Sequence, residues 1–317
     1  MVDLSADIGI PLKNPLILTS GILGSSAHLL KRVASSGAGA LITKSITEDP
    51  RVGHENPTVI EVSEGLILNA MGLPNPGVDI FLNELETLEA VNLPIIPSVA
   101  GYSEDEFGRV ASRLEDAGFR IIELNISCPH STALSSKKVI AQDIDKTRRV
   151  VNAVRSVTSL KLIVKLSPNV TDIVEFADVA IKAGADALSL INTIEALEVD
   201  PYVEAPVLGN VFGGQSGPSI RCIAQRKLTD IALAMWKGEI ERVPLIGVGG
   251  VRTPKDVFRF LLLGADAVGI GSSILYEDLA IFEDVIEGLE QIMTDKGYDM
   301  LDEFRGKVIS QILDMTI

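Results

Sequence analysis

The sequence predicts an α/β fold of the (β/α)8 TIM-barrel class, with an N-terminal hairpin and long βα insertions, as one domain over residues 1–317. Three observations predict it. Eight short apolar runs recur along the chain, each ending in polar or glycine residues. Helical segments lie between most of them. Four of the helix-to-strand passages also share a loose repeat, in which a glycine suited to the left-handed position closes the helical pattern and leads into the next apolar run. Runs this apolar, with little alternation, belong to a parallel sheet buried on both faces. Eight such units in a chain of 317 residues fit a closed barrel.

The opening VDLSADIGIPLKN alternates and holds turn residues, which predicts a small hairpin capping the bottom of the barrel. The apolar runs then follow as NPLILTS (14–20), SSGAGALITKS (35–45), PIIPSVAG (94–101) and EDAGFRIIELNIS (115–127). The second half supplies KLIVKLSPN (161–169), IKAGADALSLINT (181–193), VPLIGVGG (243–250) and LLGADAVGIGSS (262–273). Helical patterns between them include EDEFGRVASRLEDAG, DKTRRVVNAVRSV, VTDIVEFADVAIKAG and TPKDVFRFLLLG. Two connections are too long for plain barrel loops, from Ile46 to about Leu93 and from Ile194 to Ser216. Connections of that length in a compact domain are usually lids or binding loops.

Composition narrows the function classes. A net charge of −15 argues against nucleic acid or an anionic membrane as partner, because phosphate contacts need clustered Lys and Arg. Two cysteines far apart do not make a disulfide framework and fit a reducing cytosol. The N-terminus lacks the basic and apolar regions of a signal peptide, and no apolar run reaches the ~18 residues of a membrane span. The expectation is a soluble cytoplasmic protein.

Barrel enzymes work at the carboxyl ends of their strands. Those ends carry Ser20 and Gly21, Lys44 and Ser45, Ser98, Asn125 with Cys128, Lys165 with Asn169, Asn192 with Thr193, Gly249 with Gly250, and Gly271 with Ser272. Glycine turns after the seventh and eighth strands are where barrels commonly hold a phosphate on backbone N–H groups. GGQSG (213–217) reads as a third flexible, N–H-rich segment at a helix start. One lysine at a strand end simply reaches solvent. Two around a common mouth fit a cofactor that carries or develops negative charge. Neither lysine lies in a P-loop, and GVGGV and GIGSS miss the GxGxxG spacing, which argues against direct NAD binding.

A buried free cysteine usually behaves as a small hydrophobe. Cys128 differs because it lies beyond the strand, where Pro129 stops the ladder. Near an electropositive mouth its thiol, with an ordinary pKa of about 8.5, can act as base or nucleophile. Cys222 reads as packed or surface, His28 and His54 as structural or surface, and no zinc-type spacing occurs.

The motifs LNAMGLPNPG (68–77), LNISCP (124–129), VKLSPNVTDI (164–173), INT (191–193), GG.SGP (213–218) and IGVGGV (246–251) occur in an order that resembles the dihydroorotate dehydrogenases. The resemblance runs from Thr19 to the GIGSS at Gly269 and implies an FMN-containing barrel that oxidises dihydroorotate to orotate in pyrimidine synthesis. It implies that Cys128 removes the C5 proton while the C6 hydride passes to flavin N5. Lys165 would stabilise the anionic reduced flavin, and Lys44 would contact flavin and substrate. Asn69, Met71, Gly72, Leu73, Asn125, His130, Asn192 and Thr193 would hold the substrate. Gly249, Gly250, Gly271 and Ser272 would cradle the FMN phosphate near Gly217, with Ser20, Gly21, Ser45, Asn125 and Ile191 also at the flavin. No metal is implied.

A cysteine base is similar to the soluble class, and KLSPNVTDI to the subclass that passes electrons to NAD through an iron–sulfur and FAD subunit around a homodimer. The fumarate-reducing homodimeric subclass is the other alternative. Two departures stand out. His130 replaces the family's usual asparagine, and STALSSKKVIAQ lacks the usual loop glycines and carries Lys137 and Lys138. Cys-Pro-His is also similar to the dihydropyrimidine dehydrogenases, which act on uracil and thymine.

Overall fold

The computed structural model describes residues 2–86, 91–127 and 139–316. Eight parallel staves form the barrel, in chain order Leu16–Leu18, Ala40–Ile42, a third in two pieces, Ile121–Asn125, Lys161–Leu166, Ala187–Leu190, Leu245–Val248 and Ala267–Ile270. The third stave is Ile95–Ile96 and Ser98–Val99, divided by Pro97. Proline has no N–H to give the ladder. Its carbonyl still accepts from Glu123 N at 2.9 Å. The first piece pairs with the second stave (Leu41 with Ile95) and the second piece with the fourth (Ser98 with Glu123), so one stave supplies both edges and the sheet closes.

Strand residues such as Leu16, Ile17, Leu18, Ile122, Leu124, Ile163 and Val164 are fully buried whichever way they point. That is why these runs show little alternation. Phe107, Phe260 and Phe282 fill the space between helices and sheet. The helices include Ala27–Ala34, Val78–Leu85, Glu104–Asp116, Ile144–Val157, Ile173–Lys182, Arg221–Trp236, Pro254–Leu262, Ala280–Lys296 and Lys307–Thr316. Side-chain oxygens of Ser103, Asp143, Asp172 and Thr253 accept from first-turn backbone N–H groups, and Thr253 forms a reciprocal capping box with Asp256. Each such cap contributes about 1 kcal/mol. Among the described residues no helix is long and apolar enough to cross a membrane.

The expected N-terminal hairpin is present, with Ala6 opposite Leu12 and Asp7 opposite Pro11. Its turn residue Gly9 stands against the side chain of Lys161, the first residue of the fifth stave, so the hairpin lies at the bottom of the barrel.

The two long connections are not independent loops. The first contributes the hairpin Val59–Ser63 and Leu66–Asn69; the second contributes Ile194–Ala196 and Gly213–Ser216. Together they form one antiparallel sheet in the order Ile194–Ala196, Gly213–Ser216, Leu66–Asn69, Val59–Ser63. Gly213–Ser216 is therefore a strand and not a flexible segment, with Gly214 facing Asn69 in register, while Gly217 stands at the expected helix start, just before the turn that begins at Pro218. The glycines serve close approach. A Cβ on Gly214 would lie 2.0 Å from Thr193 Oγ1, and one on Gly213 would lie 2.6 Å from the Asn69 carbonyl oxygen.

Gly214→Val is expected to part the two insertions while leaving the barrel folded. Far-UV circular dichroism should change little, whereas limited proteolysis within 194–216 should accelerate several-fold. An unchanged digestion rate contradicts the role given to this glycine.

Candidate active site

The carboxyl ends of the barrel staves and the four-stranded sheet above them enclose a cavity of about 860 Å³. That is the size of an organic cofactor or a cofactor with substrate. From the barrel it is lined by Ser20 and Gly21, Lys44 and Ser45, Asn125, Lys165, Ile191, Asn192 and Thr193, Gly249 and Gly250, and Gly271 with Ser272. From above come Asn69, Met71, Gly72, Leu73 and Gly217. Residues from at least seven chain segments thus meet at one mouth. Cys128, His130, Lys137 and Lys138 lie outside the described residues.

Both lysines belong to this cavity. Lys165 is only 5% exposed, and its ammonium donates to Ser20 Oγ at 3.0 Å. Lys44 is held below the ordinary lysine pKa, chiefly by burial and then by the positive charge of Lys165. Two neighbouring ammoniums with few carboxylates at hand form a standing demand for negative charge.

Four amides form a second feature. Asn125 Nδ2 donates to Ser45 Oγ at 2.9 Å, and Asn192 Nδ2 donates to Asn125 Oδ1 at 3.2 Å. Asn192 Oδ1 accepts from Thr193 N at 2.8 Å, and Asn69 Nδ2 donates to the Gly214 carbonyl at 3.1 Å. Asn169, at the end of the fifth stave, donates to the Thr193 carbonyl and accepts from Glu195 N, which fixes the strand entering the roof. Each cavity amide keeps unused donor or acceptor capacity for a ring bearing both N–H and C=O.

Gly249 and Gly250 have φ of 134° and 70°, where side chains are strained. A Cβ on Gly250 would lie 2.9 Å from the Arg221 backbone nitrogen, and one on Gly271 2.5 Å from Thr19 Oγ1. The missing side chains let these turns pack tightly against Arg221 and Thr19 while their backbone borders the cavity, where N–H groups can meet an anion. With the paired ammoniums and the cavity volume, the donor set fits a phosphorylated cofactor with a ring that accumulates negative charge.

Two further residues bear on this site, and only one of them, Asn75, falls within a quoted motif, LNAMGLPNPG. Asn75 lies outside the lining yet holds the loop above it. Its Oδ1 accepts from Thr47 N and Gly77 N, and its Nδ2 donates to Thr47 Oγ1 and the Leu73 carbonyl, all between 2.9 and 3.1 Å. That brace keeps Leu73 at φ 57°, an uncommon conformation for a side chain of its size. His54, expected to be structural or surface, lines the cavity instead. Its backbone N–H donates to the Met71 carbonyl, and its ring packs on Gly72. The fold over the mouth brings it there, and RVGHENP gives no hint of that. Cys222 is exposed on its helix, and His28 is exposed as well. Among the described residues no His/Cys/Asp/Glu cluster could hold a metal.

Lys44→Met should raise the melting temperature of the ligand-free protein at neutral pH by roughly 2 °C, by removing one of two adjacent buried charges. The sign follows from linkage. A depressed lysine pKa in the fold destabilises the native state while the amine is protonated, and stability returns as pH rises toward the ordinary lysine value. The gain from the substitution should therefore shrink in alkaline buffer. Scanning calorimetry against pH checks this, and a variant less stable than wild type at neutral pH contradicts it.

The chain matches the family model described as dihydroorotate dehydrogenase over residues 5–293. It is 43% identical over 298 residues to the protein named dihydroorotate dehydrogenase B (NAD(+)), catalytic subunit, of Pyrococcus furiosus, covering 94% of this chain and 96% of that one. The proteins of the same name from Methanothermobacter thermautotrophicus and Methanocaldococcus jannaschii are 43% and 42% identical, covering 94% and 91% of this chain and 95% and 92% of theirs. Among solved structures, the dihydroorotate dehydrogenase of Eimeria tenella in complex with ferulenol has the same fold, with a TM-score of 0.79 at 22% identity, over 96% of this chain and 88% of that one. With its barrel, its roof and these relatives together, the chain belongs to the dihydroorotate dehydrogenase family.

Proposed function

We propose that this chain is a cytoplasmic, FMN-dependent enzyme that oxidises dihydroorotate to orotate in pyrimidine biosynthesis, and that residues 1–317 form one FMN-binding domain. The observation that carries the cofactor is the pair of ammoniums, Lys44 and Lys165, beside the amides Asn69, Asn125 and Asn192 and the glycine turns in one cavity. The location rests on the absence of a disulfide framework in a chain with two cysteines.

The reaction removes a proton from C5 and a hydride from C6 of the substrate, leaving a C5=C6 double bond. FMN, when bound, accepts the hydride. Everything else is work for this chain. Cys128, three positions after Asn125 in sequence, takes the C5 proton on its sulfur. Asn69, Asn125, Asn192 and Thr193, with the backbone of Met71 to Leu73 and with His130, hold the ring and its carboxylate. If protonated, His130 adds a positive charge suited to that carboxylate. Lys165 and Lys44 would stabilise the negative charge of a reduced flavin held in the cavity. Ser20, Gly21, Ser45 and Ile191 would border the flavin, and Gly217, Gly249, Gly250, Gly271 and Ser272 would hold its phosphate. A fixed ring between base and acceptor makes this a positioning problem, and several roof and floor contacts serve it.

For partners, the relatives' names support a catalytic subunit working with an electron-transfer subunit of the FAD and iron–sulfur type, which passes electrons to NAD. A homodimer of this chain would form the core. The lack of a dinucleotide fingerprint agrees with NAD acting on the partner. Cys-Pro-His favours a second reading, a dihydropyrimidine dehydrogenase-like enzyme acting on uracil or thymine.

Anaerobic mixing of the flavin-loaded protein with dihydroorotate should bleach the flavin, and dihydrouracil should not. The reverse preference would establish the second reading. Reoxidation with NAD in the presence and absence of the partner subunit, and with fumarate, then separates the acceptors. Cys128→Ala should retain FMN but slow the bleaching about 10²-fold or more at neutral pH. Wild-type rates in that variant would remove Cys128 from its role.

A further inference from the structure

The two glycine turns assigned to the phosphate follow neighbouring staves, and strand pairing stops short of both. The ladder between the seventh and eighth staves ends at Val248 opposite Gly269. Beyond it, Gly249 and Gly250 on one side and Gly271 and Ser272 on the other line the cavity. Among the described residues the backbone N–H groups of Gly250, Val251, Gly271 and Ser272 meet no protein acceptor. A phosphate needs such donors from more than one side, at a separation its oxygens can span.

Each turn is held first to its own surroundings. Thr19 N and Thr19 Oγ1 both donate to the Ile270 carbonyl, which fixes the entrance of the eighth-stave turn to the first stave. The buried side chain of Asp256 accepts from Arg252 N and Thr253 N and pairs with Arg221 at 2.9 Å, which fixes the exit of the seventh-stave turn to two helices. Neither restraint reaches across. The link between the turns is Ser273, only 1% exposed, whose Oγ donates to the Val251 carbonyl. A carbonyl only accepts, so the direction of this bond is settled. Ser273 stands directly before the short helix Ile274–Glu277, where a serine hydroxyl commonly accepts from a first-turn N–H. Here it makes no such bond and is committed across to the other turn. Arg252 also reaches Glu277, at 2.7 Å, but that pair is 31% and 40% exposed and lies outside the turns. Exposed pairs of this kind contribute little.

We propose that Ser273 is a positioning residue that sets the separation of the two turns, so that N–H groups from both converge on one phosphate group. The inference deepens the FMN reading of the cavity and rests on it. Its test compares FMN with riboflavin, which carries the same ring and no phosphate. Both are titrated into flavin-stripped full-length protein and followed by quenching of flavin fluorescence. Ser273→Ala should weaken FMN roughly tenfold, the order of one hydrogen bond to a charged group, and leave riboflavin unchanged. Unchanged riboflavin binding also shows that the variant is folded. Glu277→Gln, which weakens the outer pair, should change neither flavin. Melting temperature does not decide the matter, because an unpartnered Val251 carbonyl lowers it under any role for Ser273.

Equal weakening of both flavins by Ser273→Ala, or wild-type affinity for FMN, assigns the hydroxyl to packing alone and overturns the inference while the proposed cofactor stands. So does a loss of FMN preference in Glu277→Gln as large as that in Ser273→Ala. A wild type that binds FMN no better than riboflavin overturns the phosphate assignment and this inference with it. A wild type that binds neither overturns the proposed cofactor itself.

Discussion

Closure of the parallel sheet at its third stave is the constraint on which the site depends. Ile95–Ile96 completes one edge and Ser98–Val99 the other, with Pro97 between them as the residue that gives up a donor. A closed sheet has no exposed edge and gathers eight strand ends into one rim. Lys44 and Lys165 come from the second and fifth strands, and Asn125 and Asn192 from the fourth and sixth, yet they share a cavity because the barrel returns on itself. An open sheet with the same order would spread these groups along a line.

The roof solves a second physical problem. Polar side chains at a barrel mouth are well solvated, and solvent weakens what they can do to a ligand. The two insertions close over the mouth by pairing with each other, Leu66–Asn69 against Gly213–Ser216, through glycines that let the backbones approach. Asn75 fastens the intervening loop, and the strain at Leu73 is held by that brace. Burial beneath the roof then lowers the Lys44 pKa. The same burial that destabilises the ligand-free protein strengthens the attraction for a ring that gains negative charge.

Beneath the rim, polarity continues into the barrel core along Glu123, Ser98 and Ser45. Buried polar networks specify orientation when each member is directed by the next. Here the network is anchored at the mouth, where the Thr193 N–H holds Asn192 Oδ1 and so turns both amides.

Strand and helix positions were legible because they rest on local chemistry. Apolar runs, the glycines that end helices and the residue types at strand ends are written along the chain, and they were enough to predict the barrel, the hairpin beneath it and the strand-end residues of the cavity floor, whereas the roof residues Asn69 and Met71 to Leu73 came from the family resemblance. The residues that only the tertiary structure revealed are those whose meaning comes from a distant partner. GGQSG reads locally as a loop, and it becomes a strand because Leu66–Asn69, nearly 150 positions earlier, supplies its hydrogen bonds. His54 reads as a structural or surface histidine until the roof folds it against Gly72. Glu123 has no reading in the sequence, because its neighbours Ser98 and Ser45 come from other staves. Hydrophobic periodicity and turn chemistry act within a few residues, so sequence determined the elements and the rim. Pairing between insertions and the direction of a hydrogen-bond chain depend on groups brought together across the fold, and tertiary structure alone decided them.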